Sequence, residues 1–131
     1  MIKRREFLKF LPGIVFLPFS ATKTREQRKI LILEDYVAGF QYYQGDTSIA
    51  RLKAGDPLRL KREPANTHDE MAIAVYAHDG VKLGYIHRFL NIIPSGMLDR
   101  GTELTAMVTR INFSPAPSWE RVRFVVYHPV G

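Results

Sequence analysis

Residues 60–76 read LKREPANTHDEMAIAVY, and this stretch decides the fold. Before it, Leu58 and Leu60 alternate with Arg59 and Lys61. After it, Met71, Ile73 and Val75 are apolar at every second position. Both flanks carry the period of a half-buried strand. Between them stand Glu63-Pro64 and a polar corner, Asn66-Thr67-His68-Asp69. The corner is either a turn, since Asn and Asp bond readily to nearby backbone N–H groups, or a place that grips a ligand.

Working outward, strand signals dominate from Ile30 onward. KILILEDYVAGF (29–40) is predicted as a first strand, DPLRLKRE (56–63) as the second and EMAIAVYAH (70–78) as the third. Asp79-Gly80 marks a hairpin into VKLGYIH (81–87). TELTAMVTRINF (102–113) and SWERVRFVVYH (118–128) complete the set, joined by the loop 114–118. TSIARLKAG (47–55) reads as a short helix capped by Thr47 or Asp46 and closed by Gly55. RFLNIIPSGMLDRG (88–101) reads as one or two short helices ending at Gly101. The expected fold is mainly β (α+β): a small antiparallel β-barrel-like domain of five to six strands with two short helices. Its expected core is Ile73, Val75, Leu83, Ile86, Leu104, Val108, Phe124 and Val126. Trp119 is expected in core or loop packing. Arg110, Arg121 and Arg123 either form a basic stripe across adjacent strands or pair with Glu103 and Glu120.

The chain has 131 residues, 46% hydrophobic content and no cysteine. That length suits one domain. Without cysteine there is no disulfide, no thiol nucleophile and no zinc–thiolate site. The net charge is +6, and Lys3, Arg4, Arg5 and Lys9 against Glu6 carry +3 of it. The remaining +3 is too mild for a protein that tracks many backbone phosphates.

The N-terminal stretch has a basic start and then an uncharged run, Phe10–Thr22, broken by Pro12, Gly13 and Pro18. It is too short to span a bilayer, which takes about 20 apolar residues, and has the layout of an export signal. Arg4-Arg5-Glu6-Phe7-Leu8-Lys9 resembles the twin-arginine pattern. The expected organisation is an export signal over 1–22, a linker over 23–29 and a folded domain over 30–131. The protein is then exported or periplasmic, tethered to the membrane if the signal is uncleaved, and cytoplasmic if the signal does not work. The N-terminal segment would contact the membrane during export.

From Tyr36 to about Asn112 the order of features resembles the HIRAN domain family. The marks are AGFQYYQG (38–45), the stretch 60–76 and DGVKLGYIHRFL (79–90). Well-understood HIRAN members sit at the front of DNA-remodelling helicases, where they bind single-stranded DNA and hold its free 3′ end. The resemblance therefore implies an oligonucleotide-binding module without catalytic machinery. Tyr42 and Tyr43 match the family's paired aromatic, which stacks on bases; Gln41 replaces the Arg that often precedes it. Asn66 and Asp69 match the end-binding corner. His68 replaces the aromatic beside the Asp. His87 and Arg88 match the basic residues, and Tyr85, after Gly84, is a further platform.

The residue chemistry reads the same way. Single-stranded nucleic acid needs flat π surface for bases and cationic or amide donors for phosphates. Tyr42, Tyr43, Tyr85 and His68 supply the first; Lys61, Arg62, His87 and Arg88 supply the second. A carboxylate repels phosphates but accepts from a terminal hydroxyl, so Asp69 suits an end. The duller reading of Tyr42-Tyr43 is a strand pair with one ring buried. No phosphate-binding loop suggests ATP hydrolysis, and a Glu63–Asp69 acid–base pair is conceivable but has no nucleophile or pocket to support it. No metal or cofactor is expected. The expected partners are single-stranded DNA or another nucleic acid, and a helicase or nuclease acting in trans that would supply any hydrolysis. The alternative is an envelope protein- or peptide-binding module on the same scaffold.

Overall fold

Alternating apolar residues build the sheet, and the computed structural model describes residues 28–43 and 49–130. Six strands form: β1 (Arg28–Tyr36), β2 (Pro57–Arg62), β3 (Ile73–Ala77), β4 (Lys82–Tyr85), β5 (Thr105–Ile111) and β6 (Val122–Val130). They make one antiparallel sheet in the order β1-β6-β5-β2-β3-β4. The export-signal stretch 1–22 and the cap candidates Asp46 and Thr47 lie outside the described residues. The linker expected over 23–29 ends earlier than that, because Arg28 and Lys29 already pair with Val130 and Pro129.

The two edge strands meet at one end. Ala38, just beyond β1, exchanges two hydrogen bonds with Tyr85 of β4, both 2.9 Å, which closes that end of the sheet into a barrel. Closure requires Gly84. Its φ is +152°, and a Cβ there would lie 2.3 Å from the Ala38 carbonyl oxygen and 2.8 Å from Val37 Cγ1. No side chain fits between backbones that close.

The expected core is buried at Ile73, Val75, Leu83, Ile86, Val108, Phe124 and Val126, while Leu104 packs against it half-exposed. Phe40 and Val37 join it as fully buried side chains. Burial of a side chain of this size contributes roughly 1.5–3 kcal/mol. Phe40 does not extend the first strand. Gly39 takes φ +74°, the chain leaves the sheet, and Phe40–Tyr42 form a 3-10 turn. Further 3-10 turns follow at Arg88–Leu90 and Ser118–Glu120.

Helix α1 (Ile92–Asp99) carries Pro94 at its third residue, where the backbone N–H has no partner within the helix and is not missed. Gly101, at φ +82°, ends it. The Gly101 N–H bonds to Leu98 O (3.0 Å) and the Thr102 N–H to Met97 O (2.9 Å), satisfying the last carbonyls. Of the helix expected over 47–55, the described part begins with Ile49 in helical conformation and passes into a turn in which Leu52 N–H reaches Ile49 O. Trp119 is not packed inside; it is 61% exposed. Arg110 and Arg123 do face each other across β5 and β6, but bond to Tyr36 and Glu34, and Arg121 is turned inward toward Ala116 O.

Candidate nucleic-acid interface

The barrel closure and the polar corner meet on one side of the molecule. Together they form a cleft of about 350 Å³ lined by Ala38, Gly39, Tyr43, Asn66, His68, Asp69, Ala72, Tyr85, Ile86, His87 and Arg88. Seven of the residues expected at the site therefore share one concavity, although they come from three separate segments of the chain.

The corner is built by Asn66. Its side-chain carbonyl accepts from the His68 N–H (2.8 Å) and the Asp69 N–H (3.1 Å). Its amide donates to Glu63 Oε1 (3.0 Å) and Tyr85 Oη (3.4 Å). An Asn that wraps its own backbone in this way is a turn-former, and its hydrogen-bonding capacity is used. Asp69 differs. Oδ1 accepts from the Met71 N–H (2.9 Å) and Oδ2 from the Asn91 amide (2.8 Å). Each oxygen takes one bond, so a lone pair remains on each for a donor in the cleft. The Asn91 bond, then the Met71 N–H, hold the Asp69 carboxyl below its ordinary range, and nearby Arg88 adds to this.

One wall is aromatic. Tyr43 meets Tyr85 edge to face, with ring centres 6.0 Å apart. The Lys82 ammonium lies 4.4 Å from the centre of the Tyr85 ring and 5.0 Å from that of Tyr43. It also donates to Tyr85 Oη (2.7 Å) and Glu63 Oε2 (3.1 Å), and Tyr85 donates to Glu63 Oε1 (2.8 Å). This Glu63–Lys82–Tyr85 network fixes the wall. Burial acts to raise the Glu63 carboxyl, but bonds from Asn66, Tyr85 and Lys82 outweigh it and hold the group low. Burial likewise acts to lower Lys82, and its bonds to Tyr85 and Glu63 raise it instead. Burial pushes the Tyr85 phenol up to about 12, with Glu63 adding to the rise. Both the Glu63 and the Asp69 carboxyl are thus drawn toward the ionised form.

Three expected contacts sit differently. Arg62 is committed to structure: its guanidinium bonds to both Asp99 carboxylate oxygens (2.8 and 3.1 Å) and to the carbonyls of Glu70 (3.0 Å) and Ala72 (2.9 Å). Lys61 lies away from the cleft, in a groove with Arg59, Tyr76 and Leu104 where β2 and β5 part. Their pairing is confined to Pro57↔Met107 and Leu58↔Ala106. Tyr42 does not line the cleft, but at 79% exposure it stands beside Tyr43 on the same 3-10 turn; with Tyr43 at 39%, neither ring is buried.

Two residues escaped the sequence reading. Asn91, only 2% exposed, orients Asp69 from the start of α1. Phe89, 82% exposed, stacks on His87 with ring centres 5.0 Å apart, extending the aromatic surface past the cleft mouth. Arg88 stands between them, exposed, and forms no ion pair with any described residue. Among the described residues no three His, Asp or Glu side chains gather as metal ligands would.

The HIRAN domain model matches residues 32–130, which covers the sheet except the first four residues of β1, and every residue of the cleft. The chain belongs to the HIRAN domain family. No curated relative matches it. Two crystal structures resemble it. One is a protein from Lactobacillus plantarum, 24% identical with a TM-score of 0.68, covering 81% of this chain and 100% of that one. The other is the HIRAN domain of human HLTF, 20% identical with a TM-score of 0.58, covering 76% of this chain and 78% of that one. Identities this low establish the fold: a small α+β HIRAN barrel. HIRAN domains are in general nucleic-acid-binding modules of DNA-remodelling proteins rather than catalysts. Membership in the family lends no support to the peptide-binding alternative.

Proposed function

We propose that this HIRAN domain binds single-stranded nucleic acid, DNA foremost, and receives its 3′ end in the cleft between Asp69 and the Tyr43–Tyr85 wall. The observation that carries the reading is the state of Asp69. It is an ionised carboxylate in a concavity, oriented by Asn91, with a lone pair left on each oxygen. Such a group accepts from a terminal hydroxyl and repels a phosphate. Tyr43 and Tyr85 offer ring surface for the last bases, Tyr42 and Phe89 extend it, and Arg88 meets the adjacent phosphate. The domain holds an end and leaves any hydrolysis to a helicase or nuclease working in trans. Residues 1–22 would export it by the twin-arginine route, tethering it if uncleaved. Joining residues 1–30 to a reporter should then move that reporter out of the cytoplasm, and a wholly cytoplasmic reporter would end that part of the proposal.

The test is a titration of the full chain with a short labelled oligonucleotide carrying a free, 3′-phosphorylated or 5′-blocked end. A hydrogen bond to a charged group is worth about 1.5–3 kcal/mol. The 3′-phosphate should thus weaken binding by at least about tenfold, and the 5′ block should leave it unchanged. Equal affinity for all three would remove the end-binding reading.

A further inference from the structure

The open edge of β1 is a self-complementary surface. Along Arg28–Tyr36 the chain runs from basic (Arg28, Lys29) through apolar (Ile30, Leu31, Ile32, Leu33) to acidic (Glu34, Asp35). No described strand pairs with this edge, since β1 ends the sheet and the chain meets β4 only beyond it, at Ala38. Ile30 and Leu31 are 53% and 55% exposed, which is unusual for two adjacent large side chains in a strand.

The backbone direction matters as much as the charge pattern. Beyond the bulge, Val37 N–H bonds inward to Val122 O and Ala38 N–H outward to Tyr85 O, so Glu34 and Tyr36 also face outward. Before it, Lys29 lies opposite Pro129, which has no N–H to exchange, so Lys29 and Leu31 face outward too. Lys29 and Glu34 are five residues apart and would face opposite edges of a regular strand. The register shift between Leu31 and Leu33 brings both to the open edge. An edge bulge commonly blunts pairing; here it aligns the two charged positions.

We propose that β1 pairs antiparallel with β1 of a second copy of this chain, about a two-fold axis between Leu31 and Ile32. Lys29 of each copy then lies opposite Glu34 of the other, Arg28 opposite Asp35, and the exposed Ile30 and Leu31 are covered. Glu34 reaches Arg123 through Oε2 at 3.3 Å, which leaves Oε1 for the incoming lysine. An isologous contact of this kind closes on itself and stops at a dimer. The pairing of Arg28–Asp35 ends before Ala38, and the two clefts face opposite ways, about 40 Å apart at a strand rise of about 3.4 Å per residue. On the reading proposed above, which this consequence rests on, the dimer would hold two 3′ ends at once.

Sedimentation of the full chain over a range of concentrations tests the proposal. The wild type should dimerise, and K29E or E34K alone should weaken the dimer by at least about tenfold, since each turns two attractions into two repulsions. The double variant K29E/E34K should restore it. Mixing the two single variants should give the heterodimer, in which every facing pair is again opposite in charge. A wild type that stays monomeric, or association indifferent to all these exchanges, would overturn the proposal. Oligonucleotide binding measured on the same variants stays separate: none of them touches the cleft, so a charge-insensitive dimer with intact end-binding rejects this pairing alone.

Discussion

At the scale of single residues, the site turns on Asn91. Its amide is buried and spent on Asp69 Oδ2, so the carboxylate has one orientation. Asn91→Ala frees that carboxylate to rotate and removes a charge-assisted bond, at a cost of about 1–2 kcal/mol of stability. The preference for a 3′ hydroxyl over a 3′ phosphate should collapse, while affinity for the body of the strand, which rests on the rings, changes little. Titrating both oligonucleotides against the variant checks this; an unchanged preference would make Asn91 a packing residue only. Nothing in the sequence points to Asn91. It sits in an apolar, helix-like stretch, and its partner is 22 positions away. Arg62 misled for the same reason: a basic residue at the end of a strand reads as available, but its four bonds go to Glu70, Ala72 and Asp99, the last 37 positions away. The corner itself was legible, because Asn66 acts on groups two and three residues ahead.

At the scale of elements, the strands were legible because the period-two pattern is local, and the Asp79-Gly80 hairpin and the stop at Gly101 were legible because turn chemistry is local. The end of β1 was not. VAGF continues the apolar pattern, and only the positive φ of Gly39 diverts Phe40 out of the sheet and into the core. Of the two places expected for Trp119, core or loop, the core reading failed because a lone large aromatic resembles core until its environment is known; the residue lies in the loop turn Ser118–Glu120. The closure between β1 and β4 is a meeting of distant segments, and Gly84 is its weak point. Gly84→Ala places a methyl where the Ala38 carbonyl stands, 2.3 Å away, so the two closing bonds must part. A loss of about 2–4 kcal/mol is expected from strain and the broken bonds, with end-binding lost as the cleft opens. Thermal melting with parallel titrations checks it, and a variant as stable as the wild type would mean the barrel end is not closed in solution.

At the scale of the whole molecule, the cleft network sets how stability follows pH. Glu63 and Asp69 are held below their reference values of 4.5 and 3.8, so the stability they add is present above those values and lost as the pH falls through their lowered ones. Lys82 and Tyr85 are raised, so theirs is present below the unfolded values and lost as the pH rises toward the folded ones, about 12 for Tyr85. Melting temperature should therefore be flat between about pH 6 and 9 and fall beyond about pH 10 as the phenol and ammonium are drawn toward ionisation changes. In Lys82→Met that alkaline fall should be shallower; an identical profile would mean the network does not hold in solution.

The central claim is that the cleft beside Asp69, and not the basic groove of Arg59 and Lys61, receives the nucleic acid. Backbone amide shifts of the full chain on addition of a short single-stranded oligonucleotide with a free 3′ hydroxyl test this directly. The shifts should cluster at Gly39, Tyr43, His68, Asp69 and Tyr85–Arg88; shifts centred on Arg59, Lys61, Tyr76 and Thr105 instead would contradict binding in the cleft.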